Sequence, residues 1–414
     1  MTTTTTPITI VGAGIGGLTL ALELHAAGIP CRVYEAAPEL RPLGVGINVL
    51  PHATAVLAEL GVLERLEAIA VQTQEAVFYN RFGQHVYTEP AGRYAGYPTP
   101  QLSIHRGHLQ LTLADVVRER LGADAIVTDH QCLGIDQDGS SVTARFRSPS
   151  TSQPQESVIS RAVIACDGVH SAIRKQFHPD EGTPRYSGVL MWRGTTVGRP
   201  FLSGASMVRA GWLRDGKLVI YPIRDNPDGT QLINWVAEIE RPYSGDRDWG
   251  KPGDPADFAP AFADWDFDWL DVPALLRGAD TVLEYPMVDQ DPLDSWTVGR
   301  ATLLGDAAHP MVPRGSNGAG QAILDARALR VALQAEDDVP TALQAYEADR
   351  RPKTSAVVLT NRATPPDAIL KEVWERTGDK PFDDVDDVIS PAELDAISQR
   401  YRQVAGFSLP DAAR

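Results

Sequence analysis

The sequence predicts an α/β protein: a Rossmann-like domain, an interleaved antiparallel β-sheet domain and helices at the C-terminus. Three observations predict it. A glycine fingerprint stands between a β-branched run and an apolar helical pattern near the N-terminus. Two later β runs end in Cys166-Asp167-Gly168 and Gly305-Asp306, and the carboxyl ends of strands are where open α/β sheets put ligand contacts. Between them, residues 186–240 change to short recurrent strands separated by turns, the pattern of an antiparallel sheet.

The N-terminal unit runs from Ile8 to Glu35. Ile8 to Val11 reads as a buried strand, Leu18, Leu22 and Ala26 mark one face of a helix, and Gly28 and Pro30 stop it. Arg32 to Tyr34 is a second strand, closed by Glu35. Gly12, Gly14 and Gly17 stand at G-x-G-x-x-G spacing. The first allows a tight turn, the second lets backbone approach a pyrophosphate, and the third lets the helix lie close on the strand. The phosphates would sit on the free amides and positive dipole end of the helix. Glu35 is placed to take both ribose hydroxyls of an adenosine, which argues against a 2′-phosphate there. The dinucleotide is then FAD or NAD, and this stretch does not separate them. A membrane span is excluded because it needs about 20 mostly apolar residues, and this run carries glycines, Glu23 and His25.

Composition narrows the class. A chain of 414 residues has room for two cores, and 43% hydrophobic with 22% charged residues is ordinary for a globular protein. A net charge of −16 argues against nucleic acid or an anionic membrane surface as partner. Cys31, Cys132 and Cys166 are far apart and odd in number, so neither a disulfide framework nor a metal cluster follows, and a reducing cytoplasm fits. The opening M-T-T-T-T-T-P has no signal architecture and is expected to be a frayed tail.

In the order of the chain, Gly44 and Gly46 bracket Val45 in a loop that either presses flat backbone against a planar ring or is a plain turn. Pro51 opens a helix, and Glu75 to Tyr87 reads as a hairpin. Arg106 stands at the entrance of an amphipathic helix, either forking onto a phosphate or capping in solvent. Val158 to Ala165 is a buried strand leading to Asp167, with Cys166 a packing residue. Strands are expected at Val189 to Val197, Lys217 to Ile223 and Leu232 to Ile239, followed by a Pro/Gly/Asp connection from Tyr243 to Pro260. Phe262 to Leu276 is expected to form a helical cover. After the Ala301 to Leu304 strand, Asp306 suits a polyol hydroxyl, and the amides from Asn317 to Gly320 open another helix suited to an electron-rich oxygen. His309, between Ala308 and Pro310, reads as a hydrogen-bonded packing residue rather than a base. Helices follow to about Thr360, then an acidic tail that turns helical from Pro391 to Ala405.

Three signatures in this order, G-A-G-I-G-G with Glu35, C-D-G-V-H-S-A-I-R and G-D-A-A-H-P, resemble the single-component FAD-dependent aromatic hydroxylases, the para-hydroxybenzoate hydroxylase-like family, from about Ile8 to about Arg362. The runs G-V-G-I-N, S-I-H-R-G, M-W-R-G and I-N-W-V resemble most its phenazine-modifying branch. The resemblance implies a GR2-type FAD-binding domain made of residues 1–74, 101–180 and 281–362, a substrate domain of 75–100 and 181–280, and a helical tail of 363–414. It implies that Gly12, Gly14, Ile15, Gly16, Gly17 and Glu35 hold the ADP half of FAD. Arg106, Asp167 and Asp306 would hold the phosphate and ribityl region, with Asp167 also serving the nicotinamide cofactor. Pro313, Gly318 and Ala319 would flank one side of the isoalloxazine, and Val45 and Gly46 the other. Two positions depart from the family pattern: Cys166, where a small residue is usual, and the loop P-R-G-S-N-G-A-G in place of P-x-x-G-Q-G.

A single strand–glycine–helix fingerprint leaves no second domain for NADH or NADPH, so the reductant is expected to visit transiently. The implied chemistry is flavin reduction, addition of O₂ to the reduced flavin to give a C4a-hydroperoxide, and attack on its distal oxygen by an electron-rich aromatic or N-heteroaromatic ring. The cofactor does this chemistry, so no catalytic side chain and no metal is required. Arg193 is the candidate for an anionic or phenolic group of the substrate, with Tyr221 and Met287 as walls. The rival readings are a flavin-dependent reductase or dehydrogenase, a non-catalytic flavin-binding protein and a plain NAD-dependent dehydrogenase. The expected partner is a small aromatic molecule, not nucleic acid or membrane, and the protein is expected to be a monomer or homodimer.

Overall fold

The computed structural model describes residues 6–243, 251–406 and 408. Most of the polar N-terminal tail, part of the Tyr243 to Pro260 connection and the last six residues lie outside them.

The first sheet has eight strands among the described residues. Its parallel centre runs Ala301–Leu303, Val158–Ala165, Thr6–Val11, Cys31–Tyr34 and Ile126–Val127. Ile10, Val33, Val163 and Leu303 are fully buried, as expected of parallel strands covered on both faces. The Ile15–Ala26, Arg106–Leu121 and Gly318–Ala335 helices share this core. Helices Ile15–Ala26 and Gly318–Ala335 are also fastened through buried Glu23, whose carboxylate accepts from Arg327 Nε at 2.7 Å and Arg330 Nε at 2.6 Å.

The second sheet has seven strands in the order Val282–Asp289, Arg185–Gly198, Gln231–Glu240, Gly216–Asp225, Ser206–Trp212, Glu75–Tyr79, His85–Pro90. Its neighbours are antiparallel except at Ser206–Trp212 against Glu75–Tyr79. Alternation divides its side chains between two faces. Trp192 and Trp235 point to one face and pack with Phe258, Phe262 and Trp265. Met191, Arg193, Tyr221, Asn234 and Met287 stand on the other, toward the first sheet. A small sheet of Gly46–Val49, Gln101–His105 and Val71–Thr73 bridges the two.

Four expectations change. The strand at Val282–Asp289 pairs with Arg185–Gly198, so the return to the first domain comes after it and not at residue 281. Phe262 to Leu276 is not one helix. It is a turn, a ribbon of Asp266–Phe267 with Leu270–Asp271, and a short helix at Val272–Arg277. The W-D-F-D-W run has the period of two that suits extended chain, which buries Trp265 and Phe267 and leaves Asp264, Asp266 and Asp268 in solvent. Ser206–Trp212 is a further strand. The acidic tail also holds a helix at Ala368–Thr377, which with Ile389 and Leu394 packs on Ala76, Phe78 and Val86. No described helix is long and apolar enough to cross a membrane.

Candidate cofactor and substrate site

The glycine turn is built by contact distances. Gly12 has φ +102°, its amide donates to Tyr34 O at 2.7 Å, and a Cβ there would lie 2.4 Å from Cys166 O. A Cβ on Gly17 would lie 2.1 Å from Gly12 O, so this position sets how closely helix and strand approach. Gly14 differs: a Cβ there would meet no protein atom within 4 Å. It is the N-cap of the Ile15–Ala26 helix and supplies no side-chain cap, so the first-turn amides open onto space. Ile15 and Gly16 contribute only backbone to that opening. The Ile15 side chain is buried, and a Cβ on Gly16 would lie 2.9 Å from Leu304 Cδ2.

Glu35 Oε2 accepts from the Ala13 amide at 2.7 Å and Oε1 from the Ala37 amide at 2.8 Å. The carboxylate is thus aimed at the glycine turn, and each oxygen keeps acceptor capacity. Asp167 lies next to Gly12, where its Oδ2 accepts from the Ala172 amide at 3.0 Å while its Oδ1 is buried without a partner among the described residues. Burial raises the Asp167 pKa to about 6, against the hydrogen bonds from Ser171 and backbone amides, and the charge of Glu35 adds to the rise.

Arg106 is exposed, and its amide donates to Val45 O at 2.9 Å, joining the helix entrance to the small-residue loop. Gly46 is held from both sides by the second sheet: its amide donates to Asn234 Oδ1 at 2.7 Å and its carbonyl accepts from Arg193 Nη2 at 2.9 Å. Val45 is buried. Asp306 is reached by solvent although protein surrounds it, which is the environment of a cleft wall. That desolvation raises its pKa, partly offset by His309 and Arg106. A Cβ on Gly318 would lie 3.9 Å from Asp306 Oδ1, which brings the Gly318–Ala335 helix entrance to the same cleft. Pro313 is exposed at the start of the loop before that helix, and Ala319 is half-buried in its first turn.

Beneath this cleft a buried charge network holds the turn. Asp325 accepts from Arg350 Nε at 2.7 Å and bonds His309 Nε2 at 2.6 Å, and its Oδ2 also takes the Gly305 amide at 3.2 Å. Burial works to raise the Asp325 pKa, but His309 and Arg350 more than reverse it, and the net shift is downward. His309 therefore packs and bonds within the scaffold, and it also lies against Trp296.

The residues present fit FAD. The helix entrance at Gly14 is open, Glu35 holds a carboxylate beside the glycine turn, and Asp167 keeps a buried oxygen without a partner among the described residues. A solvent-open cleft of about 60 Å³ lies on the inner face of the second sheet. Gln101, Met207, Arg209, Gly315, Tyr401 and Arg402 are among its walls. Of the expected substrate residues, Arg193, Tyr221 and Met287 stand on that sheet face. Tyr221 packs with Met207, a wall of the cleft, and Met287 packs fully buried with Val312. Arg209, Tyr401 and Arg402 had no local signal in the sequence. Asn234 had one: a polar residue in the inward phase of the strand I-N-W-V.

A model of the FAD binding domain family matches residues 5–257 and 261–361. The chain belongs to this family of FAD-dependent aromatic monooxygenases. This hydroxylase is 46% identical over 367 residues to the phenazine 1,6-dicarboxylic acid hydroxylase of Lysobacter antibioticus, which covers 87% of this chain and 90% of the relative. It is 32% identical over 361 residues to a 3-amino-4-hydroxybenzoate 2-monooxygenase of Streptomyces platensis, covering 84% of this chain and 85% of the relative. Among solved structures, HpxO of Klebsiella pneumoniae with FAD and uric acid superposes with a TM-score of 0.75 at 25% identity, covering 94% of this chain and 96% of that one. The choice left open at Glu35 is thereby made: the dinucleotide is FAD.

Proposed function

We propose that this hydroxylase inserts one oxygen atom of O₂ into a ring carbon of an aromatic N-heterocyclic carboxylic acid of the phenazine kind, at the expense of NADH or NADPH. One oxygen atom replaces a ring hydrogen as hydroxyl, and the other leaves as water with the two electrons of the reductant. The observation that supports this reading best is the cleft, where apolar walls such as Phe78, Leu50 and Met207 adjoin two guanidinium groups, Arg209 and Arg402, each also paired with a protein carboxylate, Asp367 and Glu89. Apolar walls accept an aromatic face, and a guanidinium can receive a carboxylate or phenolate edge. The Lysobacter relative is named for a phenazine dicarboxylate and the Streptomyces relative for a benzoate, which supports an acid as substrate.

Bound FAD, once reduced by NADH or NADPH, supplies the activation of oxygen. The chain supplies the rest of the arrangement. In this reading Gly12, Gly14, Ile15, Gly16, Gly17 and Glu35 hold the ADP half through backbone amides and one carboxylate. Arg106, Asp167 and Asp306 hold the phosphates and the ribityl chain. Val45 and Gly46 lie on one side of the ring system, and Pro313, Gly318 and Ala319 on the other. The amides opening the Gly318–Ala335 helix face an electron-rich ring oxygen. Arg209 orients the substrate in the cleft, Arg193, Tyr221 and Met287 back it from the same sheet face, and the apolar residues exclude water from the reacting centre. No side chain is assigned as general base.

Three free cysteines support a cytoplasmic setting, and a monomer or homodimer suffices for this chemistry. The test is NADH or NADPH consumption by the purified yellow protein with phenazine-1-carboxylate and phenazine-1,6-dicarboxylate under ¹⁸O₂. The expected outcome is accelerated consumption and one labelled oxygen in the product. Consumption that yields an unlabelled product would instead identify a flavin-dependent reductase.

A further inference from the structure

The family match ends at residue 361, yet one wall of the cleft comes from the helix Pro391–Ala405 beyond it, through Ser398, Tyr401 and Arg402. This helix is docked by several contacts. Tyr87 donates its hydroxyl to Asp395 Oδ1 at 2.7 Å, and Ser398 and Arg402 both bond Glu89. Tyr401 does something different. Its buried hydroxyl accepts from Asn317 Nδ2 at 2.9 Å and donates to Asn361 Oδ1 at 2.9 Å. Asn361 Nδ2 in turn donates to Val312 O at 3.5 Å. One hydroxyl thus ties the last helix to both ends of the loop from Val312 to Asn317.

That loop is in a conformation that needs holding. Gly315 has φ +77° and Ser316, which carries a side chain, has φ +57°. Left-handed backbone at a residue with a side chain persists where the surroundings impose it. The Tyr401 hydroxyl occupies the very space beside Gly315, where a Cβ would lie 1.7 Å away. Asn317 is the N-cap of the helix whose entrance faces the cofactor cleft, and its Oδ1 is buried without a partner among the described residues. Tyr401 is therefore the partner that orients the Asn317 side chain. Burial raises the Tyr401 pKa, so the hydroxyl keeps its proton and donates throughout the working pH range. A phenylalanine would fill the same volume and make neither bond.

We propose that Tyr401 is a positioning residue: its hydroxyl holds the Val312 to Asn317 loop in the shape against which the FAD ring lies, so that a helix outside the family match sets the cofactor's seat beside the substrate cleft. This rests on the assignment of that loop to the flavin ring and is independent of which aromatic acid is the substrate.

The experiment compares Tyr401→Phe with Tyr87→Phe, which removes another hydroxyl contact docking the same helix but touches nothing in the loop. Stripped protein is titrated with FAD, following flavin fluorescence and the absorption band of the bound cofactor. Tyr401→Phe is expected to weaken FAD binding about tenfold, the scale of leaving a buried donor and acceptor unpaired, and to alter the band shape at saturating FAD. Tyr87→Phe is expected to match the wild type in both. Wild-type affinity and band shape in Tyr401→Phe would overturn the proposal, as would equal changes in both variants, since these would mean that helix docking alone matters. If Tyr401→Phe does not fold, Asn317→Ala removes the same bond from the loop side and must show the tenfold loss and the altered band; wild-type values there overturn the proposal. Failure of the wild-type protein to take up FAD at all would instead defeat the cofactor assignment on which the proposal rests.

Discussion

In the eight-stranded sheet, the groups proposed to meet the cofactor are backbone amides and carboxylates at strand ends: the turn at Gly12 to Gly17, Glu35, Asp167 and Asp306. In the seven-stranded sheet, the groups lining the cleft proposed for the substrate are side chains on the inward phase of strands far apart in sequence, such as Ala76, Phe78, Met207 and Arg209. The first arrangement constrains residue identity tightly, because a glycine in contact with backbone tolerates no Cβ. The second constrains only which phase of a strand is inward and leaves the side chains free to vary with the substrate. On this comparison, changes in the first region should alter cofactor binding or folding, and changes in the second should alter substrate binding alone.

The largest expected effect is at Gly17. Gly17→Ala places a methyl 2.1 Å from Gly12 O, a backbone atom that cannot swing away. The substitution should cost about 3 kcal/mol or more of stability and eliminate bound flavin, as measured by thermal unfolding and flavin content. Gly14→Ala is its counterpart, with φ −72° and no protein atom within 4 Å of the added methyl. Melting should stay within about 0.5 kcal/mol of the wild type, while FAD affinity falls at least tenfold. Equal loss of stability in the two variants would break the distinction between the packing glycine and the ligand-facing one.

On the substrate side, Arg209→Met should raise KM for an aromatic acid about tenfold, the scale of one lost charged hydrogen bond, with FAD affinity unchanged. A matching fall in FAD affinity would show that the two regions are not separable at this point. Arg209 also bonds Asp367, which keeps Lys217 as a partner in the variant.

The last effect concerns pH. The Asp167 carboxyl is raised from 3.8 to about 6, so the folded state resists its ionisation more than the unfolded chain does. Its contribution to the stability of the FAD-free protein is therefore full below about pH 4 and is lost as pH rises through 6. Asp167→Asn should make the FAD-free protein up to about 3 kcal/mol more stable at pH 7.5 than the wild type, with most of the difference gone by pH 4, as read from melting temperatures across that range. The same variant should bind FAD less tightly if the unpartnered oxygen is a cofactor contact.

The alternation in W-D-F-D-W illustrates how local pattern can be legible and still be misread. Aromatic density suggests a helical cover, whereas the acidic residues at every second position mark extended chain. The strand at Val282–Asp289 shows a different limit. Its residues read correctly as a strand, but which sheet receives it depends on pairing with Arg185–Gly198, across almost a hundred residues of chain. Arg193 shows a third. Its charge between strand aromatics marks it as unusual, yet only the fold reveals that one of its nitrogens bonds the Gly46 carbonyl and so ties the two regions together.

The primary structure alone determined the glycine turn, the helix entrance and the carboxylate beside it, because they lie within one short run whose main-chain geometry the glycine spacing records directly. Only the tertiary structure decided the walls of the cleft and the attachment of Tyr401 to the loop before Gly318, because these depend on contacts between elements far apart in the chain. Such contacts are set by how sheets and helices stack, and no local spacing encodes them.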